Sequence, residues 1–253
     1  MSQSSVRPSN LAISSRRLPR RRPQALLGAM HIGLIGGIGP AATDYYHRGL
    51  IALAAAAGRP LELTIAHADA ATLVRNLAAG DAAAQAAIFA RLIDRLRGAG
   101  AELAAVTSMG GHFCAAALAA RTSLPLVDAL PALDDAIAAR GLKTVGVIGT
   151  RTVMETRCYG RVHAAAIVIP EGAALDAVHQ AYIGMAVPGR ATDAQREVCF
   201  AAGQSLCRDR GADSVILGGT DLFLAFDGHD CGFAVLDAAQ VHIAAIHRAS
   251  LGA

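Results

Sequence analysis

Ala99-Gly100-Ala101-Glu102-Leu103-Ala104-Ala105-Val106-Thr107-Ser108-Met109-Gly110-Gly111-His112 and Gly211-Ala212-Asp213-Ser214-Val215-Ile216-Leu217-Gly218-Gly219-Thr220-Asp221-Leu222 are two renderings of one pattern. Each runs from a helix end, marked by Gly-Ala and an acid, through a short apolar stretch into a turn of small residues that carries hydroxyls. Short unbroken apolar runs bounded by turns suit strands buried on both faces, as in a parallel sheet. One βα half built twice would place two such turns on opposite sides of one small molecule.

The sequence on either side keeps the same alternation. His31–Ile35, Leu61–Ala66, Glu102–Val106 and Pro125–Val127 read as four strands, with a helix from about Ala42 and a long one from Asp81 to Gly98. The pattern restarts at Thr144–Ile148, followed by a helix opening near Val153, and then Ala165–Ile169, Ser214–Leu217 and Phe233–Leu236. Strands that alternate with helices predict parallel sheets with right-handed crossovers. The expected fold class is therefore α/β: two pseudo-symmetric halves, each a parallel sheet flanked by helices, with a pocket between them. The expected domains are 30–135 with 223–253 returning to it, and 136–222. Ligands in such sheets bind beyond the carboxyl ends of the strands. Those ends are Gly36–Thr43, His67–Asp69, Thr107–His112, Gly149–Glu155, Pro170–Glu171, Leu217–Asp221 and Asp237–His242.

Composition narrows the class. Apolar residues make up 53% of 253 residues, with 4% aromatics and no Trp, so the core is built from Ala, Leu, Val and Ile. No stretch reads as a membrane-spanning helix. The positive mean hydropathy of +0.39 reflects alanine-rich helices. The five cysteines (Cys114, Cys158, Cys199, Cys207, Cys231) lack metal-ligand spacing, which fits a reduced, cytoplasmic protein with buried thiols. Residues 1–29 hold six arginines and no acid, twice the formal charge of +3 on the whole chain, so the remainder is net acidic. That tail reads as disordered, with Met30 a candidate start. Nucleic-acid binding and twin-arginine export are weaker readings of it. Gly37-Ile38-Gly39-Pro40-Ala41-Ala42 also fits the Gly-x-Gly-x-x-Ala form of a dinucleotide fingerprint. Pro40 stiffens that turn, however, and no acid directly closes the second strand, so a turn offering N–H groups to a carboxylate explains it equally well.

Four segments resemble the aspartate/glutamate racemase family, in order and spacing, from about His31 to the C-terminus. Gly36-Gly37-Ile38-Gly39-Pro40-Ala41-Ala42-Thr43 resembles the family's Gly-Gly-Met-Gly-Pro-x-Ala-Thr. Gly149-Thr150-Arg151-Thr152-Val153-Met154-Glu155, with Tyr159, resembles Gly-Thr-x-x-Thr-Met-x. Leu217-Gly218-Gly219-Thr220-Asp221-Leu222 resembles Leu-Gly-Cys-Thr-Glu-Leu, and Leu236-Asp237-Ala238-Ala239-Gln240-Val241-His242 resembles Phe-Asp-Thr-Thr-x-x-His.

The resemblance implies a cofactor-independent amino-acid racemase, a homodimer working without metal, flavin or pyridoxal phosphate. Two thiols there face each other across the substrate Cα, one removing the proton and the other returning one. Counting back from His112, the first thiol position falls on Ser108; the second falls on Gly219. Serine is a poorer base unless a neighbour activates it, and glycine carries no group at all. Ser108, His112, Thr220 and Asp221 are the resulting catalytic candidates. His112 could act as base, orient Ser108 or bind a carboxylate, and Asp221 could support a base or cap a helix. Gly37, Ile38, Thr43, His67, Arg75, Met109, Gly110, Thr150, Arg151, Gly219 and His242 are the binding candidates. Relatives specific for acidic amino acids carry a basic residue just after the segment that here reads Ile169-Pro170-Glu171. No Lys or Arg lies within Gly172–Val178; His179 is nearest, and Arg151 or Arg75 could grip a carboxylate bidentately. The alternative expectation is a catalytically impaired homologue that binds a small carboxylate or amino acid. A lyase needing a single protonation ranks below both.

Overall fold

A computed structural model describes residues 29–252, so the expectations for the arginine-rich segment fall outside the described residues. The first half comprises β1 (Ile32–Gly36), α1 (Pro40–Ala56), β2 (Leu63–His67), α2 (Ala70–Ala78), α3 (Ala82–Gly98), β3 (Leu103–Val106), α4 (Ala115–Ala119), β4 (Leu126–Val127) and α5 (Ala129–Ala139). The second comprises β5 (Thr144–Ile148), α6 (Arg151–Glu155), β6 (Ala166–Val168), α7 (Ala173–Ala186), α8 (Asp193–Arg210), β7 (Ser214–Leu217), α9 (Phe223–Phe226), β8 (Val235–Asp237) and α10 (Ala238–Ser250).

Both sheets are parallel, and both have the same order, β2-β1-β3-β4 and β6-β5-β7-β8. The two opening quotations therefore form equivalent strands, β3 and β7, each lying beside the first strand of its half. Every residue of β1, β3 and β7 is buried, as their unbroken apolar runs require, whereas the edge strands β2, β4 and β6 are half open. Pro40 stands at the first turn of α1, where its missing N–H is of no consequence, and its neighbour Gly39 is the extended N-cap. Asp81 and Thr192 accept backbone N–H groups at the starts of α3 and α8.

The segment 223–253, expected to return to the first half, divides. Its strand β8 pairs with β7 and completes the second sheet. Its helix α10 sends Ala239, Ile243 and Ile246 into the core formed by β1, β3 and α1 of the first half. The converse holds for α5: Leu130, Leu133 and Ile137 belong to the core around β5 and β7. Each half thus completes its core with a helix that follows the other half's last strand.

The helix after β5 is shorter than its sequence suggests. α6 ends at Glu155, and Arg157, Cys158 and Tyr159 follow with φ of 48°, 57° and 61°. Three consecutive non-glycine residues in the left-handed region carry strain of roughly 1 kcal/mol or more each. Tyr159 offsets part of it by donating its hydroxyl to the carbonyls of Met109 and Gly110, at 3.1 and 3.3 Å, in the other half.

Candidate active site

The turn after β1 is braced from within α1. The Thr43 hydroxyl accepts the Gly37 N–H at 2.8 Å and donates to the Gly39 carbonyl at 3.0 Å, so it serves the loop. Ile38 packs toward the core under α3, and the exposed His67 ring lies against Gly37. At the end of β3, Thr107 donates to the Ile35 carbonyl at 3.1 Å and ties the two turns together. Ser108 follows, 7% exposed, its Oγ accepting the Gly111 N–H at 3.3 Å. Met109 is buried and packs into the second half's core.

His112 lies beneath this turn in a fixed tautomer. Its Nδ1 lies 2.7 Å from the Ser108 carbonyl, which only accepts, and its Nε2 lies 3.2 Å from the Ala129 N–H, which only donates. Nδ1 therefore carries the proton, Nε2 is bare, and the ring is neutral. Burial lowers its pKa and outweighs nearby Asp128, which instead pairs with Arg161 at 2.7 Å. His112 engages the backbone of Ser108, not its hydroxyl, so it does not activate that hydroxyl.

His242 is further from any ligand role. It is fully buried, accepts the Tyr46 hydroxyl at Nδ1 (2.9 Å), and donates from Nε2 to the Val127 carbonyl (2.9 Å). It joins α10 to α1 and β4, with its ring 5.6 Å from that of His112. Burial depresses its pKa to about 3. The unfolded chain, with an ordinary value near 6.5, takes up a proton on acidification well before the native state does. Stability is therefore held in full above about pH 6.5 and lost as pH falls toward 3. Between pH 7.5 and 5, His242 alone should remove about 2 kcal/mol, read as a falling urea midpoint. A midpoint unchanged over that range would show that His242 is not buried as a neutral ring.

In the second half, Thr150 caps α6 by accepting the Val153 N–H at 3.3 Å. Arg151 is committed: its guanidinium pairs with Glu155 at 3.1 Å and with Asp176, and its backbone N–H goes to His179 Nδ1 at 3.2 Å. Arg75 is exposed on α2 and donates to Thr72 at 3.0 Å. Neither arginine is brought to Ser108 or Gly219 by any bond of its own. Among the described residues, no group of three His, Cys, Asp or Glu side chains is placed to hold a metal ion.

The decisive arrangement lies at the end of β7. A Cβ on Gly219 would come within 2.2 Å of Tyr182 Cε2 and 2.8 Å of its Cζ, so the Tyr182 ring occupies the space a side chain at 219 would need. The Tyr182 hydroxyl donates to Asp221 Oδ2 at 3.0 Å, and Asp221 Oδ1 accepts the Ala42 N–H of α1 at 3.1 Å. A Cβ on Gly39 would meet that carboxylate at 2.6–2.7 Å, which explains the glycine there. Tyr182, Thr220 and Asp221 are 8%, 3% and 2% exposed. Burial raises the pKa of Asp221, offset in part by its two bonds, and pushes the Tyr182 phenol well above 10. Asp221 thus caps the first helix of the opposite half. Sequence reasoning missed Tyr182 because it lies 39 residues before Asp221, on a helix to which no function was assigned.

A cavity of about 740 Å³ opens elsewhere, between α5, α10 and the segment from Phe223 to Cys231. Ser108, Gly219 and Thr220 do not line it. Asp237 does, and it accepts the Tyr45 hydroxyl at 3.0 Å while capping α10 through Ala239 at 2.8 Å.

Residues 35–246 match the profile described as Asp/Glu/Hydantoin racemase. The chain belongs to the Asp/Glu/hydantoin racemase family. Its architecture is similar to that of a putative Asp/Glu racemase from Yersinia pestis, at 25% identity and a TM-score of 0.77 over 88% of this chain and 99% of that one. An aspartate racemase homologue from Pyrococcus horikoshii shares the fold at 23% identity and 0.72, over 87% and 99%. A glutamate racemase from Francisella tularensis, described in complex with D-glutamate, shares it at 12% and 0.59, over 87% and 81%. In this family member, the two turns that the resemblance would furnish with thiols carry a buried serine and a glycine overlain by a tyrosine ring.

Proposed function

We propose that this protein holds a small amino acid or carboxylate between its two halves, in the place its family uses for racemisation, and does not exchange the α-proton between two thiols. One observation carries the reading: the Tyr182 ring lies where the second thiol would project. Chemistry on both faces supports it. Ser108 has no base on its hydroxyl, because His112 is turned to the Ser108 carbonyl. Tyr182 is held protonated by burial beside a carboxylate. Hydroxyls so placed donate hydrogen bonds at neutral pH but do not abstract a proton from carbon. The same reading takes the protein as a homodimer that needs no pyridoxal phosphate, as the resemblance implies, and as cytoplasmic, as its cysteine usage suggests. Among the described residues, no helix is long and apolar enough to cross a membrane.

Proton NMR in heavy water, with L- and D-amino acids and small carboxylates, tests this. The expected result is an unchanged α-proton signal across the panel, with at least one compound raising the melting temperature. Loss of the signal with inversion would restore racemisation and overturn the proposal. The absence of thermal stabilisation by any compound would remove the binding function.

A further inference from the structure

The cavity between α5, α10 and the segment from Phe223 to Cys231 has no part in the reading above. Its volume, about 740 Å³, falls within the span of pockets that hold small organic molecules, about 300–1,000 Å³. Small side chains keep it open. Ala132, Ala136 and Ala139 of α5 and Ala244 of α10 line it, where leucines would fill the space. Another part of its lining is aromatic and preformed. Tyr45 of α1 stacks on Phe223, ring centroids 4.1 Å apart and planes 5° from parallel. The Tyr45 hydroxyl is fixed in turn, donating to Asp237 at 3.0 Å and accepting from the Gln240 amide at 2.7 Å. Asp237 also accepts the Ala239 and Gln240 N–H groups, so its carboxylate is engaged by the protein itself.

Four other charges around the cavity are not engaged. Asp135, Arg140, Asp227 and Arg248 all line it and are exposed. Among the described residues, none of the four makes an ion pair or a side-chain hydrogen bond. Elsewhere on the surface, arginines take a nearby carboxylate, as Arg48 does Asp44 and Arg210 does Glu171. Two unpaired charges of each sign around one cavity set a condition on what fills it. A ligand of a single charge would suit two of these groups and repel the other two. A ligand with opposite charges at its two ends suits all four. A lone amino acid holds both charges on one carbon, whereas the ends of a di- or tripeptide lie about 7 to 10 Å apart.

We propose that this cavity is a second ligand site and that it takes a short peptide with free ends and an apolar side chain. The carboxylate faces Arg140 and Arg248, the ammonium faces Asp135 and Asp227, and the side chain rests against the alanines and the Tyr45–Phe223 stack. Ser108, Gly219 and Thr220 do not line the cavity, so this site is separate from the pocket of the reading above and does not depend on it.

The chain contains no Trp, so Phe223→Trp supplies a single indole at the cavity. Its emission should change saturably as free alanyl-phenylalanine and other free-ended apolar di- and tripeptides are added. Acetylating the amino end, or converting the carboxyl end to the amide, should each weaken binding about threefold to fivefold, the scale of exposed charge pairs. Arg140→Gln with Arg248→Gln should weaken the free and acetylated peptides and leave the amide unchanged. Asp135→Asn with Asp227→Asn should weaken the free and amide forms and leave the acetylated one unchanged. No saturable change with any free-ended peptide would overturn the site. Equal binding of the peptide blocked at both ends would overturn its recognition of opposite charges. The melting temperature of the parent protein is an independent readout: the free peptides should raise it, and the two arginine substitutions should remove the rise. A rise that survives those substitutions would also overturn the proposal. A ligand held between the halves should stabilise the parent and the arginine variant alike, so the two readings fail separately.

Discussion

Gly219→Cys, the substitution that would restore the second thiol, is expected to damage the protein. Its Cβ would fall 2.2 Å from a Tyr182 ring that is 8% exposed, packed in the second core and bonded to Asp221. Overpacking of a tight interior costs typically 1–3 kcal/mol, and an overlap with a rigid ring belongs at the upper end. For a chain of this length the melting temperature should fall by roughly 5–10 °C. No racemisation should appear, even alongside Ser108→Cys. Space has to be made first. With Tyr182→Ala added, the thiol at 219 gains room, and the three-fold variant is the one expected to wash the α-proton out of an amino acid in heavy water. If Gly219→Cys alone is as stable as the parent, the ring does not occupy that space. The account of why this family member lacks the thiol then falls with it.

The second large effect is expected far from the pocket. His242→Leu removes the acceptor for the fully buried Tyr46 hydroxyl and the donor for the carbonyl of the half-buried Val127, both at 2.9 Å. One buried hydroxyl left unpaired should cost roughly 1–3 kcal/mol, seen as a lowered urea midpoint with an unchanged slope. The variant should also lose much of the acid sensitivity described above, since the buried imidazole is its source. A His242→Leu protein as stable as its parent at pH 7.5 would mean that the histidine does not bridge α10, α1 and β4.

The strands were the most legible part of the sequence. Thr144–Ile148 and Ser214–Leu217 lie where the apolar runs place them, because strands buried on both faces read as nearly unbroken apolar runs, with a polar residue here only at the first position of each. Long helices were harder to read. α8 runs for 18 residues but buries only Cys199, Gly203 and Leu206, so its sequence shows mostly its solvent face. The turns read from the sequence lie at the ends of the observed strands, since turn position follows from strand position. What each side chain does in those turns did not follow, because that depends on contacts made across the fold. His112 read as a catalytic candidate and His242 as a binding one, yet their four ring nitrogens all have protein partners. Tyr182 gave no sequence signal, for its importance lies in reaching a glycine from another helix. Arg151 reads in the sequence as free to grip a carboxylate, whereas its guanidinium is paired with Glu155 and Asp176.

The exchange of α5 and α10 makes the duplicated pattern indivisible. A fragment ending near Arg140 would carry off the helix whose Leu130, Leu133 and Ile137 fill the second core. The complementary fragment would keep Ile243 and Ile246 with no first sheet to receive them. Neither piece is self-sufficient, although each holds a full four-stranded sheet. Two such fragments supplied together would each provide the helix the other lacks, so the repeat is recoverable by reassembly and not by excision.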